Sequence, residues 1–569
     1  MFRRIGPSFF LTILGLLIFN ADAWSASKPN IVLITIDSLR VDSTGAFGKT
    51  AQITPKLDHF AQDGLVFSNA YAQSPETLTS TATILTGTYP QTHGASLFGA
   101  ALPTALPYLP DVLHAAGYRT AAFVGSILLD PRHGPFQSYD RGFDRYEADF
   151  HLPQRGQSRF QSVEKPPDQV AAAAVKWLAE NKAAPLFLWV DFHFKPSLSK
   201  AAYQQSASAA DAALGNLLDT LRAKALYDDA LIVVASTHGE SLGAHGEETH
   251  SVFLYDETTH VPLLLKLPKK SMSGQRLARA RLLDIAPTVL EIAGVSIPSQ
   301  MQGQSLMRAA KANAPVDQPV YARSDLAQLG FGCSLLESWR AAKYLYIRAP
   351  QPELYDLPAD PVAAHNLASN FKGTLDTLAS QLQTLDARLG KQTASLGAGL
   401  SSGEVEKLAS LGYVGLQKST AGINAASEGT DPKERIAAIN KTMRAYADLE
   451  DGKPELALPI LREVLASTPN AYLVQYAMGE ALVQQHHEAD AIPYLHKAVE
   501  LQPSSAWAHL EMGLALVETR DLKSAAVHLE IAASHLPRFA MVHAKLADVY
   551  EGLGRKQDAA QQRSLASER

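Results

Sequence analysis

Short apolar runs punctuate the first half of the chain: NIVLITI (Asn30–Ile36), TAAFVG (Thr120–Gly125), PLFLWVDF (Pro185–Phe192), ALIVVAS (Ala230–Ser236) and VPLLLKL (Val261–Leu267). They are rich in Val, Ile, Leu and Phe without polar alternation, as strands buried on both faces are. Between them the pattern becomes helical. Thr54–Pro55 sets proline at a first helical position. Leu109–Ala116, Val170–Asn181, Ala207–Leu226 and Asp284–Ala293 are the other clear helical stretches. This alternation predicts an α/β fold, a mostly parallel sheet with helices on both faces, over residues 27–416.

Beyond Leu416 the pattern changes. Gln417–Lys433 (QKSTAGINAASEGTDPK) reads as a polar linker. From 434 to 569 the chain repeats: Pro469, Pro503 and Pro537 recur every 34 residues, each closing a helix-like run. Ala457, Ala491, Ala525 and Ala559 keep the same period, as do Gly479 and Gly513. A helix-turn-helix unit of this length, with small residues where helices cross, resembles the tetratricopeptide repeat. The resemblance implies an all-α solenoid with a groove for a protein partner. Repeats touch mainly their neighbours, which predicts a unit folding on its own from about Asp431.

At 569 residues the chain exceeds what one core supports, in keeping with more than one domain. A formal net charge of −6 provides no basic excess for phosphates, so no nucleic-acid partner is expected. Arg3 and Arg4, the apolar run Phe9–Phe19 and the small residues of Ala21-Asp22-Ala23 predict a cleaved secretory signal within 1–26. The mature protein is then exported, periplasmic or secreted, and meets a membrane only if that segment is retained. Cys333 is the single cysteine, which excludes an internal disulfide and reads as a small buried side chain.

Ligands of open α/β sheets bind beyond the carboxyl ends of the strands. Asp37 follows the first apolar run, Asp191 and His193 end the third, and His238 follows the fourth. The stretch LIVVASTHGESLGAHGE then places His238, Glu240, His245 and Glu247 within ten residues. Metal-dependent hydrolases carry such clusters, because carboxylates and imidazoles match Ca, Mg, Zn or Mn.

The stretches PNIVLITIDSLRVD, TPKLDHFAQDGLVFSNAYAQSP, ATILTGTYPQTHG, HGESLGAHGEETHSVFLYDETTHVPLLL and DIAPTVLEIAGV resemble the sulfatase and alkaline-phosphatase superfamily, as do PELYDLPADPVAAHNLA and EVEKLASLGYVG near its C-terminal end. The resemblance implies hydrolysis of a sulfate or phosphate ester on one or two divalent metals. It places Asp37, His238 and His250 on metal and Thr77, ten residues before Gly87, at the nucleophile position. The substrate or ligand implied is an anionic ester or glycan.

The chain departs from that pattern. Thr77, Thr79 and Thr81 replace Cys/Ser-x-Pro-x-Arg, so conversion of the nucleophile to formylglycine is not expected. Thr77 reads either as a hydroxyl nucleophile or as a helix cap. Thr237 stands in place of a ligating Asp, and Phe194, Lys195 and Pro196 fall where Asp-Pro-His is usual. One metal position then retains His250, the other Asp37 and His238, against the roughly three or four protein ligands of a zinc site. Asp191, His193, Glu240, His245, Glu247 and Glu248 lie in the same loops, and Lys195 can pair with an anionic ester. Two functions follow: a metal-dependent ester hydrolase with Thr77 attacking, its activity weakened by lost ligands, or a non-catalytic sulfatase-like protein that binds an anionic ligand and docks a partner through its repeats.

Overall fold

The computed structural model describes residues 28–48, 53–96, 102–132, 138–148, 150, 165–181, 185–194, 199–312, 318–393, 400–411, 413 and 429–567. The predicted signal, Lys195, Pro196 and most of the predicted linker lie outside these residues.

The five apolar runs become strands of an eight-stranded sheet. In chain order its strands are β1 (Ile31–Ile36), β2 (Leu65–Tyr71), β3 (Arg119–Val124), β4 (Arg145–Glu147), β5 (Leu186–Phe192), β6 (Leu231–Ser236), β7 (Leu263–Lys266) and β8 (Gly274–Arg281), arranged β4-β3-β5-β1-β6-β7-β2-β8. Every pairing is parallel except those of β7, which runs antiparallel to both β6 and β2.

Strand parity divides the core in two. Ile31, Leu33, Trp189 and Val233 face one layer with the helix Ile285–Ala293, and Val32, Ile34, Val190 and Val234 face the other with Lys200–Ala223. Helices therefore cover both faces, which is why the central strands carry no polar alternation. Strands β2, β4 and β8 had escaped the sequence reading. In β8 the run GQRLARAR is half exposed, so its apolar residues are too sparse to mark a strand.

A second sheet, also not anticipated, follows: β9 (Val320–Ser324), β10 (Leu336–Ala341), β11 (Tyr344–Arg348) and β12 (Glu353–Asp356), antiparallel throughout. The helix Lys372–Thr393 lays Leu378, Leu382 and Leu385 over Trp339 and Tyr346 of this sheet. Cys333 is buried near its edge, where burial pushes the thiol up to about 11. No helix among the described residues is long and apolar enough to cross a membrane.

Three sets of helices matter below: α1 (Thr77–Thr86), α2 (Ser402–Ser410), and a C-terminal array of α3 (Pro432–Glu450), α4 (Pro454–Ser467), α5 (Tyr472–Gln484), α6 (Glu488–Leu501), α7 (Ala506–Glu518), α8 (Leu522–His535), α9 (Ala540–Gly552) and α10 (Lys556–Ser567). Helices α4, α6, α8 and α10 start 34 residues apart, at Pro454, Glu488, Leu522 and Lys556. Gly479 and Gly513 stand where paired helices touch. A Cβ on Gly479 would come within 2.5 Å of Leu495, and one on Gly513 within 2.7 Å of Leu529.

The array does not stand apart from the sheets. One apolar cluster runs from Phe253 and Tyr255 through Phe331 and Leu345 into Ile439 and Val474. Ser334 N–H donates to Thr430 C=O (2.9 Å) and Gln502 Nε2 to Leu329 C=O (3.0 Å), so the expected self-contained unit shares its core with its neighbour.

Candidate active site

Register brings the strand-end residues together. Thr35 of β1 pairs with Asp191 of β5 on one side and Ala235 of β6 on the other. Two residues on, at the same parity, Asp37 stands between His193 and Thr237. His193 Nδ1 lies 2.6 Å from Asp37 Oδ2, and the Thr237 hydroxyl donates to Asp37 Oδ1. The chain turns away at once through Ser38, whose left-handed backbone (φ 54°) a non-glycine residue adopts only where packing dictates it.

Thr77 enters from the opposite side as the first residue of α1. Its hydroxyl donates to Asp37 Oδ2 (2.9 Å) and lies 3.3 Å from His238 Nε2. The residue before it, Glu76, occupies the cap position, so the alternative of Thr77 as cap does not hold. His238 Nε2 approaches Asp37 Oδ1 at 3.1 Å, while its Nδ1 reaches Gly239 C=O at 2.8 Å. His250 packs beside it, ring centroids 4.3 Å apart, but turns its Nδ1 to Glu240 (3.2 Å).

The charges follow from this packing. Burial works to raise the Asp37 carboxyl, yet His238 and His193 outweigh it and hold the group well below the usual carboxylate range. Burial works to lower His250, but Glu240 and then Asp37 leave it raised. Burial, with Asp37 nearby, pushes Asp191 up to about 6. Burial and Asp325 push Glu76 up to about 8, and burial does the same for Glu247, whose carboxylate oxygens accept from the amides of Val252 and Phe253.

Of the residues named from sequence, Asp37, Thr77 and His238 converge, with His250 one ring further out. His193 and Glu240 are the partners not assigned beforehand. The equal strand parity of Asp191 and His193 was the available signal, but only the register across β5, β1 and β6 turns it into a contact. Glu248 points away to Arg444 of α3, and His245 stacks on Tyr255 at 3.6 Å.

The donors present do not fit a resident divalent metal. Asp37 accepts from the Thr77 and Thr237 hydroxyls and has His193 Nδ1 at 2.6 Å and His238 Nε2 at 3.1 Å, so protein groups crowd both oxygens a cation would need. Phe194, where a ligand is usual, is buried in the apolar layer with its ring edge-on to Tyr203 at 6.1 Å. Thr81 is buried with its hydroxyl unpartnered among the described residues, and brings no charge where an arginine would. Among those residues no group of three or more His, Cys, Asp or Glu side chains is placed to hold a metal. Of the expected ligands, Asp37 and His238 lie 3.1 Å apart, while His250 turns its Nδ1 to Glu240.

First-helix contacts of the array brace the loop that carries these histidines. Asn440 Nδ2 donates to Gly246 C=O (2.7 Å), and Arg444 holds Glu248 with two guanidinium nitrogens (2.5 and 2.7 Å). Lys433 pairs with Glu353 (2.5 Å), which accepts from the Tyr255 hydroxyl (2.6 Å) beneath His245.

Comparison with known proteins accords with this geometry. Residues 29–195 and 133–295 match the sulfatase family model, and 249–389 match the C-terminal model of N-sulphoglucosamine sulphohydrolase. The sheet-bearing part of the chain belongs to the sulfatase and alkaline-phosphatase-like superfamily. An ulvan-active sulfatase of Formosa agariphila is 27% identical over 424 residues, covering 65% of this chain and 82% of the relative. A delta 4,5-hexuronate-2-O-sulfatase of Bacteroides thetaiotaomicron is 22% identical over 427 residues, covering 63% and 88%. The fold is shared with a solved structure in complex with its substrate D-glucosamine-2-N,6-O-disulfate (TM-score 0.54, 19% identity, 65% of this chain and 100% of that one). It is shared also with a phosphonate monoester hydrolase of Agrobacterium radiobacter (TM-score 0.52, 20% identity, 63% and 96%).

Proposed function

We propose that this chain is an exported sulfatase-superfamily protein that recognises a sulfate-bearing glycan at the Asp37–Thr77–His238 site, with metal-dependent hydrolysis weakened or lost. One observation carries the reading: four side chains crowd the Asp37 carboxylate, the hydroxyls of Thr77 and Thr237 donating to it and the rings of His193 and His238 within 3.1 Å. Hydrolysis in this superfamily needs a metal to neutralise the ester and lower the nucleophile's pKa. Here the acceptor of the Thr77 proton is a carboxylate held well below its usual range, hence a weak base.

The names of the sulfatase relatives support a sulfate ester as the group recognised. The 34-residue spacing of α4, α6, α8 and α10 supports reading the array as tetratricopeptide repeats that dock a protein partner. A second reading, slow hydrolysis through Thr77, is favoured by its place at a helix N-terminus 2.9 Å from an acceptor oxygen.

Ulvan and heparin oligosaccharides titrated into the full chain, before and after chelation, separate the two. The proposal expects saturable binding that chelation leaves unchanged, and no sulfate release above background. Stoichiometric metal together with sulfate release that Thr77→Ala abolishes overturns it in favour of the hydrolase.

A further inference from the structure

A second buried histidine group lies far from the sheet, where residues 400–411 and Tyr413 dock on the array. Leu408 is fully buried against Tyr476, Ala498, Val499 and Ile531. Tyr413 is 3% exposed and stacks on His496 of α6 (centroids 4.3 Å, 12° between planes). Lys407 pairs with Glu530 of α8 (2.5 Å), and Glu404 accepts from the Ser534 hydroxyl (2.7 Å). A short amphipathic helix thus sits in a cleft of the array, anchored by one leucine and one tyrosine.

The polar end of the tyrosine meets a directional chain of hydrogen bonds. His509 Nε2 lies 2.9 Å from the Pro503 carbonyl, which can only accept, so Nε2 carries the proton and Nδ1 is an acceptor. His528 Nδ1, 2.9 Å away, must then donate to it. That leaves His528 Nε2 as the acceptor for the Tyr413 hydroxyl at 3.3 Å. Every ring nitrogen has its role, and all three groups are neutral. A proton added at His528 Nε2 turns this acceptor into a donor facing another O–H, and sets a charge on a ring that has no carboxylate paired with it among the described residues.

We propose that residues 400–411 together with Tyr413 are a peptide ligand held in cis by α6, α7 and α8, and that protonation of His528 at Nε2 releases it. The ligand class is an amphipathic helix with Leu and Tyr anchors. Release bares Nε2 to water while the bond to His509 stays intact, so one proton is coupled to undocking.

Other charged groups around the tyrosine do not reproduce this. From α6 it faces His496, which is paired with Glu500 (3.6 Å), itself bonded to Lys497 (3.1 Å). From α7 comes His509, bonded to His528. From α8 come Glu530, which also takes Tyr550 and Arg555, and His535, 3.7 Å from Glu404 of α2. Burial works to raise Glu404 and Glu530, but hydrogen bonds from Ser534 and Lys407 hold both below the usual range, so they stay ionised at pH 5. Burial holds His528 well below its ordinary value, with His509 and His496 adding to the effect.

The sign follows. A docked histidine with a depressed pKa leaves docking at full strength above the free value of about 6.5, and docking weakens as pH falls below it. One coupled proton predicts a docking constant about 30-fold weaker at pH 5.0 than at 7.5.

Hydrogen exchange of the full chain, corrected for the chemical rate at each pH, tests this. Protection across 400–411 should fall on moving from pH 7.5 to 5.0 while β5 stays protected. His528→Gln, which keeps a hydrogen-bonding amide but cannot titrate, should make that protection insensitive to pH. Tyr413→Phe, which leaves Nε2 without its donor, should weaken protection at pH 7.5. A segment equally protected at both pH values overturns the proposal. So does unchanged pH sensitivity in His528→Gln, unchanged protection at pH 7.5 in Tyr413→Phe, or loss of β5 protection along with the segment.

Discussion

At the carboxyl ends of β1, β5 and β6, His193 and His238 flank the Asp37 carboxylate; in the array, His509 and His528 face each other, with the Pro503 carbonyl and the Tyr413 hydroxyl at their outer nitrogens. Both pairs are buried, and the rings are the same. The carboxylate makes the difference. Where it is present, each imidazole turns a ring nitrogen toward an anion, whose charge is held inside the fold. Where it is absent, the rings must stay neutral and divide donor and acceptor roles between them. A buried histidine thus takes its electrostatic character from what faces it more than from its depth.

The strongest way to break that comparison is to remove the anion. Asp37→Ala leaves two imidazoles and two hydroxyls facing each other in a closed space. Losing one partner of a buried charged group costs about 3–5 kcal/mol, which equilibrium urea unfolding measures. His528→Gln removes no charge and should cost less than about 1.5 kcal/mol. Equal losses at the two places would show that burial alone governs both clusters.

The sequence disclosed these two regions unequally. Strands buried on both faces announce themselves as apolar runs, so β1, β3, β5, β6 and β7 are readable within a residue or two. Strands of mixed exposure were not: β10 (LESWRA) buries Glu337 and Arg340 along with Trp339, and so carries no apolar run. Asp37 and His238 stood out because each directly follows such a run. The approach of His193 to Asp37 depends on register, and the turn of His250 toward Glu240 depends on a loop path that periodicity does not encode. In the array, the 34-residue period was plain, whereas the docking of Tyr413 between His496 and His528 left no local trace.

A smaller effect sharpens the relation between the two regions. In the array, Gly479→Ala sets a Cβ 2.5 Å from Leu495, in a contact with no room to spare. Overpacking of this kind costs about 1–3 kcal/mol. Because Ile439 and Val474 share a core with Phe253 and Tyr255, that loss should reach the sheets. Hydrogen exchange would show β10 and α5 losing protection together; β10 unchanged beside a weakened α5 would mean that the array unfolds alone.

The smallest expected effect lies at the seam between the regions. Arg444 holds Glu248 at the surface with two nitrogens, and Asn440 holds the backbone of the same loop. An exposed ion pair contributes about 0.2–1 kcal/mol, so Arg444→Ala should hardly move the unfolding midpoint. The loop it releases, however, runs from His238 to His250 and includes Leu242 and His245, both in left-handed backbone conformations (φ 52° each). Such residues keep their conformation only where surrounding contacts impose it. Arg444→Ala should therefore raise hydrogen exchange across residues 242–248 at nearly constant global stability. Asn440→Ala, which also frees the Gly246 carbonyl, should add to that increase. If exchange in the loop stays unchanged in both variants, the array merely rests against the histidine loop and does not shape it.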